Sequence, residues 1–204
     1  DIRRTASVDD TTFNQIVDGE LKQLTKSIYI HKATWEALKL HEQSFLRCCA
    51  ASKQGTKSVL VGRSAARICD VWLVGRQDPA VEVALKHGNP PWTGAEPLGY
   101  RYKRTVVADG DIQMRGDLRF TNAVRTAIDV ARDGDLRDGI VAFESLLCKH
   151  NEFNAEIIKA ECRAVMFRMQ RTRGIGRARE ALERATNRSE SPYETRMRLL
   201  IEAE

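Results

Sequence analysis

The chain has 204 residues, 42% hydrophobic and 30% charged, with a formal net charge of +5. That length allows one domain or two small ones, with ample material for a core. No apolar run approaches the roughly 18 residues of a membrane span, and the polar N-terminus DIRRTASVDD does not read as a signal peptide, so a cytoplasmic protein without a membrane partner is expected.

Residues 9–17 (DDTTFNQIV) predict a short helix with Phe13, Ile16 and Val17 inward, ended by Asp18-Gly19. ELKQLTKSIYI then predicts two short strands around a polar turn at Thr25-Lys26-Ser27. A short helix followed at once by a basic hairpin is the second half of a winged helix-turn-helix, in which the helix enters the major groove and the wing's lysines meet phosphates. On that reading Arg3, Arg4, Thr11, Thr12, Asn14, Gln15, Lys22 and Lys26 form a face for double-stranded DNA. Asn and Gln are the residue types that read adenine edges with two hydrogen bonds. An ordinary capped helix with a polar face fits the same pattern.

Thr34 is placed to cap a helix from Trp35 to about Ser52, burying Leu38, Phe45, Leu46 and Cys49, with Gly55 as its stop. SVLV reads as a buried strand and RSAARICDVW as a brief helix. VEVAL (Val81 to Leu85) alternates like a strand and leads into HGNPPWTGAEPLG, a loop punctuated by prolines and glycines. YRYKRTVV and DIQMRGDLRFT add strands to a small mixed or antiparallel sheet, the second turning at Arg115-Gly116-Asp117. The YRYKR segment interleaves Tyr100 and Tyr102 with Arg101, Lys103 and Arg104; it fits a nucleic-acid face, or a half-buried strand with tyrosines inward and cations outward.

From Thr121 the pattern is helical. Thr121 or Asn122 caps a helix with Val124, Ala127, Ile128 and Ala131 inward, stopped by Gly134; Asp135 opens a second with Leu136, Ile140, Phe143 and Leu147. Asn154 opens a third carrying Ile158, Cys162, Val165 and Met169, and a fourth runs from about Ile175 to Thr186 with Ala178, Leu182 and Ala185. Ser191-Pro192-Tyr193-Glu194 reads as a capping box that starts a last helix at Pro192. Its Tyr193, Met197, Leu200 and Ile201 share one face, so it either docks back onto the preceding body or awaits a further domain. The expected fold class is α+β: a partial winged helix-turn-helix (1–32), an α+β body (33–188) with a small mixed sheet and a helical C-terminal half, and a segment (189–204) that opens the last helix.

The residues with chemistry in them do not converge. Cys48-Cys49, Cys69, Cys148 and Cys162 form no C-x-x-C pair and read as reduced core cysteine, and His31, His41, His87 and His150 lack metal-ligand spacing, so neither a structural zinc nor any cofactor is expected. No G-x-S-x-G, H-E-x-x-H or glycine-rich phosphate loop is present. Arg163, Arg168, Arg171, Arg173, Arg177, Arg179, Arg184 and Arg188 crowd one stretch, which suits either a phosphate backbone or a solvated helical surface. Arg125 and Asp129 can pair four apart, and if buried they tether the helix rather than perform chemistry. Ser64 caps a helix more readily than it attacks a substrate, since no histidine lies near it in sequence.

Several segments resemble the AbiEi-type antitoxin and transcriptional-regulator family of actinobacteria. Ile28-Tyr29 stands where that family's wing closes with Val-Tyr, Arg63-Ser64-Ala65-Ala66 matches its S-x-x-S-A-A segment, and Thr121, Arg125, Thr126, Asp129 and Ala131 match T-x-x-x-R-T-x-x-D-x-A. The resemblance covers roughly residues 1–190 and implies a DNA-binding, autoregulating repressor that neutralises a toxin protein or forms a homo-oligomer. The family carries a fuller helix-turn-helix, with a glycine-rich stretch before the recognition helix, where this sequence has IRRTASV. Ser191, Glu194 and Arg198 are similar to the S-x-x-E-x-x-x-R start of very-short-patch-repair and restriction endonuclease domains. That similarity implies the alternative, a scaffold or specificity portion of a longer metal-dependent endonuclease. The Asp and Glu-x-Lys segments that hold Mg²⁺ in those domains have no counterpart in these 204 residues, which are therefore not expected to cut DNA themselves.

Overall fold

The computed structural model describes residues 2–4, 10–54, 58–75, 80–85, 99–148 and 150–202. In chain order the elements are β1 (Ile2–Arg4), α1 (Asp10–Val17), β2 (Leu21–Thr25), β3 (Ile28–His31), α2 (Lys32–Ala37), α3 (Leu40–Gln54), β4 (Ser58–Leu60), α4 (Gly62–Cys69) and β5 (Val81–Leu85). There follow β6 (Tyr100–Tyr102), β7 (Ile112–Arg115), β8 (Leu118–Thr121), α5 (Ala123–Asp133), α6 (Leu136–Leu147), α7 (Glu152–Arg168), α8 (Ile175–Arg184) and α9 (Pro192–Ile201). The fold is mixed α+β with small sheets. It divides into two units: residues 1–60, 78–108 and 114–119, and residues 61–77, 109–113 and 120–204. The expected Pro-rich loop after Leu85 and the stop at Gly55 lie outside the described residues.

In the first unit a three-stranded antiparallel sheet has the order β1-β3-β2. Ile28 and Ile30 alternate inward along β3 and meet Leu24, Trp35 and Ala50 in a small core, with Leu38 and Leu46 packed against it. The helix predicted over 35–52 is two helices. Leu38 is extended, its N–H held by the Trp35 carbonyl at 3.2 Å, and the Gln43 amide donates to the carbonyls of Trp35 and Leu38 at 3.1 Å each. The Glu42 carboxylate accepts the Lys39 N–H at 2.7 Å, restarting the chain as α3. Thr34 therefore lies exposed inside α2 instead of capping it, and Phe45 is exposed rather than buried. A second, five-stranded sheet has the order β6-β5-β4-β8-β7. Within it β4 runs antiparallel to β5 and β5 parallel to β6. The strand expected over YRYKRTVV is short because, after the Lys103 N–H reaches Val83 at 2.8 Å, the Thr105 N–H turns back onto the Lys103 carbonyl at 3.0 Å.

The second unit is a helical bundle started by side-chain caps. Asn122, Asp135 and Asn151 accept the N–H of Arg125, Asp138 and Asn154 at 2.8, 2.7 and 2.9 Å. The third of these helices thus begins at Glu152, with Asn151 rather than Asn154 as cap. Ala127, Ile128, Ile140, Phe143, Leu147, Cys162, Met166 and Leu182 fill the core. Helices α5, α6 and α8 approach so closely that a Cβ on Gly139 would stand 2.9 Å from the Cβ atoms of both Ala131 and Ala181.

Candidate nucleic-acid interface

The α1 helix ends where its carbonyls find donors: the Asp18, Gly19 and Glu20 N–H groups bond to Asn14, Ile16 and Gln15 at 2.8, 3.2 and 3.0 Å. Gly19 sits at φ +71°, a conformation open to glycine, and swings the chain directly into β2. The helix and the hairpin are consequently held next to each other by three residues, Asp18 to Glu20. Asn14 is exposed and Gln15 half-buried; Val17, expected inward, is 66% exposed.

Register decides which way the hairpin's cations point. Directly opposed residues of an antiparallel pair share a face. Lys22 opposes Ile30, so it emerges on the core side and its Nζ lies 5.5 Å from the centre of the Trp35 ring. Arg47 of α3 approaches the same ring at 5.0 Å, a cation–π partner that sequence reasoning missed because α3 was not divided from α2. Gln23 opposes Tyr29 on the other face, and its amide donates to the Tyr29 hydroxyl at 3.1 Å. Lys26 stands exposed at the tip of the turn. On the third strand the backbone of Arg3 pairs with Tyr29 and that of Arg4 with Ile28, while Thr11 and Thr12 fall in the first turn of α1. The seven expected residues other than Lys22 thus belong to β1, to α1 or to the turn tip; Lys22 lies against the ring of Trp35.

Several cations of the other basic segments are engaged within the protein. In β6 Tyr100 is buried, and burial raises its phenol pKa; Arg101 is exposed, and Lys103 pairs with Glu82 at 3.1 Å. In the arginine-rich stretch, Arg163 grips Glu183 with two bonds of 3.1 and 3.2 Å, Arg168 reaches Asp111 at 2.9 Å, and Arg177 donates to the Gly134 carbonyl.

The segment that resembles the antitoxin family is the hub of the second unit. Arg125, 1% exposed, bonds to Asp129 at 3.1 Å and to Asp111 at 3.0 Å; Asp129 also receives Arg132 at 2.8 Å. Thr121 and Thr126 share a buried hydroxyl contact of 2.7 Å. This buried cluster ties α5 to the turn at Asp111. Ser64 is fully buried in α4, inside the helix and not at its cap. Helix α9 docks back: Thr195 donates to the buried Glu144 carboxylate at 2.6 Å and Arg198 joins it, while Tyr193, Met197, Leu200 and Ile201 face outward. Its capping box forms with Ser191, though the Glu194 carboxylate takes the N–H of Glu190, at 2.8 Å, in place of that of Ser191.

Among the described residues no group of three or more His, Cys, Asp or Glu side chains is gathered to hold a metal. Cys48 and Cys162 are buried, and burial pushes the Cys162 thiol up to about 12. No described helix is long and apolar enough to cross a membrane. No family model, curated protein or solved structure matches the chain.

Proposed function

We propose that the protein is a DNA-binding transcriptional regulator of the antitoxin class, reading duplex DNA with α1 and the β2–β3 hairpin. The observation that carries this reading is the sheet order β1-β3-β2 with α1 inserted between β1 and β2, the strand arrangement that a winged helix needs to brace its recognition helix against its wing. Asn14 and Gln15, with Thr11 and Thr12, lie on that helix as groups for base edges, and Lys26, exposed at the turn tip, supplies charge for phosphates. Lys22, drawn onto Trp35, supports the hairpin more than it contacts DNA. The antitoxin class comes from the resemblance of the Thr121 to Ala131 segment, whose buried pairs give the helical unit a rigid frame for a protein partner. Binding to a duplex from upstream of its own gene, against a scrambled duplex at two salt concentrations, tests the reading. Preference for its own duplex, lost in Asn14→Ala with Gln15→Ala, is expected; equal binding to both duplexes would contradict it.

A further inference from the structure

Helix α7 is apolar on two opposite sides. Ala155, Cys162, Val165, Met166 and Met169 are buried in the bundle core. On the other side Phe153, Ile157, Ala160, Ala164 and Phe167 are exposed, at spacings of four, three, four and three residues, the repeat of a coiled-coil seam. Phe153 is 76% and Phe167 69% exposed. An exposed stripe of this regularity, with bulky residues at its ends and alanines between them, marks a surface that another helix covers.

The charges beside the stripe identify the cover. One flank carries Glu156 and then Arg163, the other Glu161 and then Arg168, each acid followed by a base seven residues later. If a second copy of this helix lay parallel, Glu156 would meet the copy's Glu161 and Arg163 its Arg168, like against like. Laid antiparallel, each flank meets its own counterpart reversed: Glu156 faces Arg163 of the copy, Glu161 faces its Arg168, and both pairs occur twice by symmetry. In the same arrangement Ile157 packs on Phe167 of the copy and Ala160 on its Ala164, so the small residues let the backbones close. Within one chain Arg163 contacts the exposed Glu156 at 3.7 Å and Glu183 at 3.1 Å, pairs that exchange at little cost, while Arg168 holds the buried Asp111 through one nitrogen at 2.9 Å with about half of its side chain exposed.

We propose that the outward stripe of α7 is a self-association surface on which a second copy of this chain lays its own α7 antiparallel. This stands apart from the DNA-binding reading, and neither fails with the other. A single 17-residue helix pair covers less than the ~800 Å² per partner of a standard interface, so the dimer dissociates on dilution. Sedimentation velocity over a concentration series of the full chain tests it, with circular dichroism confirming the fold of each variant. Wild type is expected to shift from monomer to dimer, and Ala160→Glu with Ala164→Glu, both at exposed helical positions, to stay monomeric. Orientation is read from Glu161→Lys: antiparallel packing sets the new cation beside Arg168 of the copy and weakens the dimer about fivefold, whereas parallel packing removes a Glu–Glu clash and tightens it. A chain that is monomeric throughout, a dimer that survives both glutamates, or tightening by Glu161→Lys would overturn the proposal.

Discussion

The two units differ in how their charged residues are engaged. The helical unit buries several: Asp111, Arg125, Asp129, Arg132 and Glu144 are all at most 9% exposed, and each carboxylate is met by two or more donors. The sheet-bearing first unit buries Glu82 against Lys103, keeps Lys26 exposed at its turn tip and covers Trp35 with the ring contacts of Lys22 and Arg47. Buried pairs fix geometry, because a misplaced charge in a dry interior costs several kcal/mol, whereas exposed cations cost little to place and remain available to an outside phosphate. Arginine density alone is therefore a poor guide to nucleic-acid contact in this chain. Three arginines of the richest run, Arg163, Arg168 and Arg177, are engaged within their own bundle.

Breaking the buried side of this comparison gives the largest effect. Arg125→Met leaves Asp111 to Arg168 and Asp129 to Arg132, so a loss near the lower end of the ~3–5 kcal/mol for a broken buried pair is expected, measured by urea unfolding. Gly139→Ala forces α5, α6 and α8 apart and should cost about 1–3 kcal/mol by the same measurement, with the first unit's signals unchanged. Lys26→Ala, on the exposed side, should shift stability by less than about 0.5 kcal/mol and act on DNA binding instead.

Much of the helical unit was legible because its signals are local. Asn122, Asp135 and Ser191 cap helices where their types and positions predict, and the Arg125–Asp129 pair follows from spacing of four on one helix. That Asp111 and Arg168 complete the cluster was not legible, since they come from a turn and a helix 14 and 57 residues apart in sequence from their partners. The break at Leu38 was hidden because Lys39 is not a capping type; the Glu42 carboxylate does the capping from the first turn. On α7 the inward stripe was read and the outward one missed, because two interleaved stripes blur into a continuous apolar pattern. At the candidate site the two strands and their polar turn were legible, but only the register of Lys22 opposite Ile30 showed that Lys22 lies on the core face.

The most direct test is the salt dependence of duplex binding for wild type, Lys26→Ala and Arg171→Ala. Each phosphate contact contributes about 0.9 to the slope of log K against log salt. Lys26→Ala is expected to lower the slope by about one, and Arg171→Ala, in the helical unit, to leave it unchanged. The reverse pattern would place the DNA contact on the arginine-rich bundle and contradict the assignment to α1 and its hairpin.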